Sequence, residues 1–255
     1  MEALAHAYKL ILVFTIAINA KFISVDKLNN IYAVTTDNVL VKYDSTGKKR
    51  YTYSNIKYGD INSIDVSDPL RPLVYYNSTQ VLVNTDVNLS PVNEISLRNK
   101  PNPMTAAAVC RSSDNMIWVY DIQNIRLVKL NNNGDILTQS IELNTQLGFV
   151  PDTKSLYANN QNIFICDTSA GVIIYDEYGN YLRNYSAKKP SSLQIFNQSI
   201  IFMQEGKMFE YNYKTFQLSE LPFSFETDIK QALLSNGNMI TLNENGVNLY
   251  RIQTE

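Results

Sequence analysis

The sequence predicts an all-β fold, a six-bladed β-propeller with about four antiparallel strands per blade and three in the last. Three observations carry this. A strand–turn–strand–turn–strand pattern recurs along the chain, its copies are evenly spaced, and the composition favours strands broken by tight turns. The 255 residues include 17 Tyr and 10 Phe, aromatic side chains that suit a pleated, half-buried surface. Asn is abundant throughout, and Asn tolerates the positive φ of hairpin turns.

The pattern is clearest in Asn162-Ile163-Phe164-Ile165-Cys166-Asp167, then Gly171-Val172-Ile173-Ile174-Tyr175-Asp176, then Gly179-Asn180-Tyr181-Leu182-Arg183-Asn184-Tyr185. The first copy reads Asn30-Ile31-Tyr32-Ala33-Val34, Val39-Leu40-Val41-Lys42-Tyr43-Asp44, and the Gly47 to Tyr53 run. Another runs from Met116-Ile117-Trp118-Val119-Tyr120-Asp121 through Ile125 to Asn131 and on to Leu137. Weaker copies pass through Leu73–Tyr76 and Val81–Val83, through Ile200–Met203 and Met208–Tyr211, and through Met239–Leu242 and Val247–Tyr250. The residues before each second turn are Tyr43, Thr85, Leu130, Tyr175, Tyr211 and Tyr250, spaced by 42, 45, 45, 36 and 39. Each copy also opens on a further strand candidate, such as Phe22–Asp26, Ile61–Val66 or Ser155–Ala158, which brings the count to about four.

The physical logic of the pattern is consistent. A small twisted sheet cannot bury both faces alone, whereas stacked sheets cover one another. Strands held between two sheets are apolar on both sides, as the second and third strands here are. The outer strand faces water, and Asp135-Ile136-Leu137-Thr138-Gln139-Ser140 is more polar. The last copy ends at Glu255 without a fourth strand, hence the expectation of three. A count of five blades, or recruitment of part of residues 8–20 as a strand, are the alternatives.

Residues 1–20 read as a signal peptide. Lys9 precedes the apolar run from Leu10 to Ile18, and Ala20 offers a small residue at the cleavage point. The run is too short to span a bilayer, which takes about 20 apolar residues. Glu2 opposes this reading, and a buried strand is the structural alternative. The domain boundaries that follow are a leader over 1–20 and one propeller over 21–255. Cys110 and Cys166 lie in apolar, strand-like runs, where buried free thiols are commoner than a bridge. An exported chain could nonetheless pair them.

The net charge is −2 and the longest basic run is Lys48-Lys49-Arg50, which argues against a nucleic-acid binder. The run Ile163–Tyr185 resembles the NHL repeat. Cys166-Asp167, Tyr175-Asp176 and Gly179-Asn180-Tyr181-Leu182-Arg183 occupy its three marker positions, while Ala170-Gly171 replaces its usual Asn-Arg. The chain from 22 to 254 is similar to a divergent six-bladed propeller of NHL or broader TolB-like type. That resemblance implies fold more than activity, because such propellers include lyases, lactonases, RNA binders and scaffolds.

The only His is His6, inside the expected leader, so a cleaved chain lacks Ser–His triads, His bases and His metal ligands. The resemblance to lactonase-like propellers implies calcium held by Glu, Asn and Asp of the innermost strands. The candidates at those positions are Asp26, Asp65, Arg111 and Gln194, a thin set in which Arg111 has the wrong charge. Capping of strand ends is the plainer role. Asn131-Asn132-Asn133-Gly134-Asp135 and Asn243-Glu244-Asn245-Gly246 read as tight turns, since neither has the alternation of a calcium loop. Asn77, Asn88, Asn184 and Asn197 match the glycosylation pattern at the chance level of an Asn-rich chain. Trp118 sits in an apolar strand and reads as core. Segment 98–104, with Pro101 and Pro103, is the longest inter-blade linker and the place to look for binding.

These readings converge on an exported, non-catalytic protein-interaction or scaffold module of the cell envelope. It would be periplasmic, outer-membrane-associated or extracellular, with a protein partner such as an envelope complex. No cofactor, metal, catalytic residue, nucleic-acid partner or transmembrane segment of the mature chain is expected. The alternatives are a lactonase-like hydrolase using channel carboxylates and calcium, and a glycan-binding propeller.

Overall fold

A computed structural model of the protein describes residues 8–186, 191–223 and 229–254. His6 and the rest of the first seven residues lie outside them. In chain order, β1 is Tyr8–Ile16. Next come β2 (Ala20–Val25), β3 (Ile31–Thr35), β4 (Leu40–Tyr43) and β5 (Lys49–Tyr53). Then come β6 (Ser63–Asp65), β7 (Leu73–Tyr76), β8 (Val81–Thr85) and β9 (Pro91–Ser96). The third group is β10 (Ala106–Arg111), β11 (Ile117–Asp121), β12 (Arg126–Leu130) and β13 (Ile136–Gln139), followed by the short helix α1 (Leu143–Leu147). The fourth is β14 (Thr153–Asn159), β15 (Asn162–Asp167), β16 (Gly171–Asp176) and β17 (Tyr181–Tyr185). The fifth is β18 (Ser191–Phe196), β19 (Ser199–Gln204), β20 (Lys207–Asn212) and β21 (Gln217–Leu221). The last is β22 (Gln231–Ser235), β23 (Asn238–Asn243) and β24 (Gly246–Thr254).

These strands make six four-stranded antiparallel sheets, the blades of the expected propeller fold. Five are built from consecutive strands, and the sixth has the order β1-β24-β23-β22. The chain forms two compact units, one of Met1–Thr52 with Pro190–Glu255 and one of Tyr53–Lys189.

In the first unit, β1 supplies the strand that the last blade lacks. It runs antiparallel to β24, with Leu10 opposite Ile252, Leu12 opposite Tyr250 and Ile16 opposite Val247. The apolar run expected as the core of a leader is therefore a blade's outer strand in the folded chain, and the last blade has four strands, not three. The physical reason is the β24 edge, a nine-residue row of backbone groups that needs a partner. Two glycines fit this arrangement. A Cβ on Gly246 would come within 2.1 Å of the Ile16 carbonyl oxygen, and one on Gly47 within 2.9 Å of the Phe14 ring. Behind β1 and β2, Ile16, Ile23, Ile31 and Ala33 pack with Ile240, Leu242, Val247 and Leu249.

In the second unit, Leu73, Tyr75, Leu82 and Ile95 of one sheet meet Val109, Ile117, Val119 and Val128 of the next. That sheet's other face carries Cys110, Trp118 and Tyr120 against Leu156, Ile163, Ile165 and Ile173. Middle strands such as β7 and β11 are buried throughout, while β13 is almost wholly exposed. The polarity gradient read from the sequence is thus the burial gradient across each blade.

Side-chain amides fasten one first strand to the next where no backbone ladder exists. Gln194 of β18 donates from Nε2 to the Leu234 carbonyl at 2.8 Å and accepts from the Leu234 N–H at 2.9 Å. Gln231 of β22 binds both backbone groups of Ile23 in the same way, at 2.8 and 2.9 Å. In the second unit the amide comes from a turn instead: Gln80, between β7 and β8, accepts from the Ala106 N–H at 2.6 Å.

Candidate functional site

The four candidate innermost-strand residues are each occupied locally. Asp26 is buried and accepts from the N–H groups of Leu28 and Asn30, both at 2.9 Å, and from the Tyr32 hydroxyl at 3.1 Å. It is the anchor of its own turn. Gln194 is engaged with Leu234 as described. Asp65 and Arg111 are brought together: Asp65 Oδ2 accepts from the Arg111 N–H at 2.7 Å, and Asp65 Oδ1 from the Ser67 N–H at 2.9 Å.

The Arg111 guanidinium is buried and donates to Asn84 Oδ1 at 2.6 Å and to the Asn115 carbonyl at 3.1 Å. Burial holds its pKa below the ordinary arginine value, although a guanidinium keeps its charge at physiological pH. A fixed cation beside Asp65 opposes a second cation there. Among the described residues, no group of three or more His, Cys, Asp or Glu side chains is placed to hold a metal ion.

The Asn131–Asp135 segment is a hairpin turn. Asn131 Oδ1 accepts from the N–H groups of Asn133 and Asp135, both at 2.9 Å, and Gly134 has φ +81°. The same device recurs at Asp44, Asp86 and Asp176, each accepting from the N–H groups two and four residues on. The short polar side chain satisfies the turn's backbone donors, which is why Asp or Asn ends these third strands. Asn243 likewise accepts from Asn245 and Gly246, at 2.9 and 3.1 Å.

Trp118 is core, with Lys129 Nζ 5.7 Å from its ring centre. Cys110 and Cys166 are buried and unbridged, and burial pushes both thiols up, Cys166 to about 12. Such thiols are inert as nucleophiles.

The linker 98–104 does border a cavity, of about 430 Å³, within the range usual for ligand pockets. Asn102, Pro103 and Met104 form one wall, Asp121 and Asn124 another, and Arg126, Val128, Ile136 and Gln139 complete the lining. The linker is a fixed wall. Lys100 Nζ donates to the Asn133 carbonyl and lies 3.6 Å from Asp135 Oδ1. The Met104 N–H donates to the Leu97 carbonyl at 3.1 Å. Pro101 and Pro103 restrict the backbone between these ties.

Asp121 sets the second wall, accepting from the Thr105 N–H at 3.1 Å and from Asn124 Nδ2 at 2.6 Å. Arg126 donates from Nη2 to Glu142 at 3.1 Å, and its Nε is buried with no partner among the described residues. Sequence reasoning reached the linker but missed Asn124, Arg126 and Gln139. Arg126 opens a strand whose alternate residues, Arg126 and Val128, share a face, and that face was readable.

No family model and no curated protein matches this sequence. Similarity in solved structures is extensive but confined to shape. The Pan2 WD40 domain of Neurospora crassa superposes with a TM-score of 0.69 at 9% identity, covering 98% of this chain and 97% of that one. BBS1N in complex with ARL6DN gives 0.66 at 10% identity, covering 97% and 98%. A streptogramin B lyase gives 0.63 at 10% identity, covering 96% and 98%. One of these neighbours is a lyase and another is bound to a protein, so the likeness establishes a six-bladed β-propeller and leaves activity to this chain's own residues.

Proposed function

We propose that this chain is a non-catalytic protein-interaction module, built on NHL-like repeats, that presents the 98–104 linker and the cavity beside it to a partner. The observation that carries the reading is that cavity: a fixed, proline-stiffened loop on a rigid sheet, lined by the side chains of Asn102, Asn124, Arg126 and Gln139. The candidate carboxylates support it in the other direction. Asp26 and Asp65 are each engaged with turn and strand donors. The neighbour BBS1N, bound to ARL6DN, is a precedent for a propeller in this use.

Purification of the tagged protein from its native cells, with mass spectrometry of what accompanies it, tests the reading. A stoichiometric protein partner is expected. A partner-free protein that hydrolyses lactones in a calcium-dependent way overturns it. An envelope location rests on the Lys9-led apolar run alone. Cleavage after Ala20 would strip β1 from β24, so an exported form with all four strands in its last blade has to retain residues 8–16.

A further inference from the structure

We infer that the cavity beside residues 102–104 holds an extended peptide segment of the partner, gripped through its backbone amides. This rests on the interaction-module reading and adds the class of ligand and the residues that hold it.

Three carboxamides border the cavity: Asn102, Asn124 and Gln139. Asn124 uses only its Nδ2, on Asp121. The Asn102 and Gln139 side chains have no hydrogen bond among the described residues. A carboxamide carries both a donor and an acceptor and can match an N–H and C=O pair of an extended chain. The protein uses this pairing inside itself: Gln194 clamps both backbone groups of Leu234, and Gln231 both of Ile23. The cavity presents the same chemistry without an internal strand to receive it.

The remaining lining fits the same occupant. Arg126 Nε, like Arg111 Nε, is a buried donor with no partner among the described residues, a group that folded proteins rarely leave unmade. Its neighbour Glu142 already balances the guanidinium at 3.1 Å, so a neutral carbonyl suits Nε better than a full anion such as a phosphate. Asp121 already accepts from Thr105, Gln123 and Asn124. Val128 and Met104 are buried and give an apolar floor, with Pro103 and Ile136 at its rim, on which one side chain of an extended peptide can rest.

A phage-displayed library of random peptides selected against the folded protein tests this. Selected peptides, synthesised and titrated by fluorescence anisotropy, should lose about tenfold or more in affinity for Arg126→Leu, the scale of one hydrogen bond to a charged donor. Asn102→Ala and Gln139→Ala should each lose severalfold, and Lys207→Ala, outside the cavity lining, nothing. N-methylation of the peptide backbone should weaken binding, which a side-chain-only contact would not show. Asn102 lies on the exposed linker, so Asn102→Ala keeps the test decisive if Arg126→Leu fails to fold. No selected peptide, or peptides indifferent to both Arg126→Leu and Asn102→Ala, overturns the inference. A partner captured from native cells that such peptides do not displace also overturns it and leaves the interaction-module reading standing.

Discussion

Removing residues 1–18 tests whether β1 belongs to the fold. The deletion exposes the β24 edge along its whole length and uncovers the contacts of Leu10, Phe14 and Ile16. Fully burying one such side chain is worth about 1.5–3 kcal/mol. Ile16 is 9% exposed, while Leu10 and Phe14 are partly covered, so about 4–6 kcal/mol is lost from the three together. That is a large share of the roughly 5–15 kcal/mol that holds a typical domain. For a chain of this size it corresponds to a fall of about 10–20 °C in Tm. The opened edge should also promote association at high concentration.

Differential scanning calorimetry of the full and shortened chains measures the shift, and light scattering the association. Gly246→Val provides the same perturbation without deletion, because any Cβ there meets the Ile16 carbonyl oxygen at 2.1 Å. A shortened chain that melts within about 2 °C of the full one would refute the reasoning, since that shift corresponds to under about 1 kcal/mol.

Three further outcomes follow from the same structure. Gln194→Leu leaves the Leu234 N–H and C=O without their partner and should cost about 2 kcal/mol in urea denaturation; an unchanged midpoint would show that the clamp is idle. Gly134→Ala forces a Cβ at φ +81° to within 2.5 Å of Ile95 and 2.7 Å of Lys100 Cε. It should cost about 1–3 kcal/mol and displace the linker wall, read as weaker binding of the selected peptides. Trp118→Ala should cost about 3–5 kcal/mol by the same denaturation, and a cost under about 1 kcal/mol would contradict its place in the core.

The pH dependence has a definite sign. Burial raises Cys166 from 9.0 to about 12, and Tyr120 from 10.0 to about 12. The stability these neutral groups contribute is complete below the unfolded values. It is lost as pH rises through about 9–12, where only the unfolded chain releases its protons. Urea midpoints should therefore be flat from about pH 6 to 8 and fall above about 9. Native Cys166 should also resist alkylation at pH 8 until denaturant is added. A midpoint that rises above pH 9, or prompt labelling, would contradict the burial.

Much of the fold was legible because period and polarity speak together. Tyr43, Thr85, Leu130, Tyr175, Tyr211 and Tyr250 were chosen as markers, and every one lies in the third strand of its copy. The turns were legible for a local reason. Asn131 and Gly134 supply a short polar acceptor and a positive φ within four residues. Leu89 at φ +64° shows the limit, since that turn follows Asp86 without a glycine to announce it.

β1 was legible only as an alternative, because a nine-residue apolar run with a preceding Lys looks alike as a signal core and as a strand. The clue lay elsewhere in the sequence, in a last copy one strand short and in Gly246. The cavity was legible only at its linker. Arg126 and Gln139 join Asn102 through the pairing of β12 with β13 and the tie of Lys100 to their turn, relations that no local pattern encodes. Asp26 and Asp65 each accept from an N–H two residues on, contacts that need only neighbours in the chain, whereas the Asp65 bond to the Arg111 N–H has no local signal.

The most direct test of the central claim is to place a photo-crosslinking amino acid at position 102 of the full chain in its native cells and identify the adduct. The account predicts one dominant protein adduct, formed through an extended segment of that partner and lost on Arg126→Leu. No adduct at 102, with capture instead from the exposed strand β21 at position 218, would contradict it.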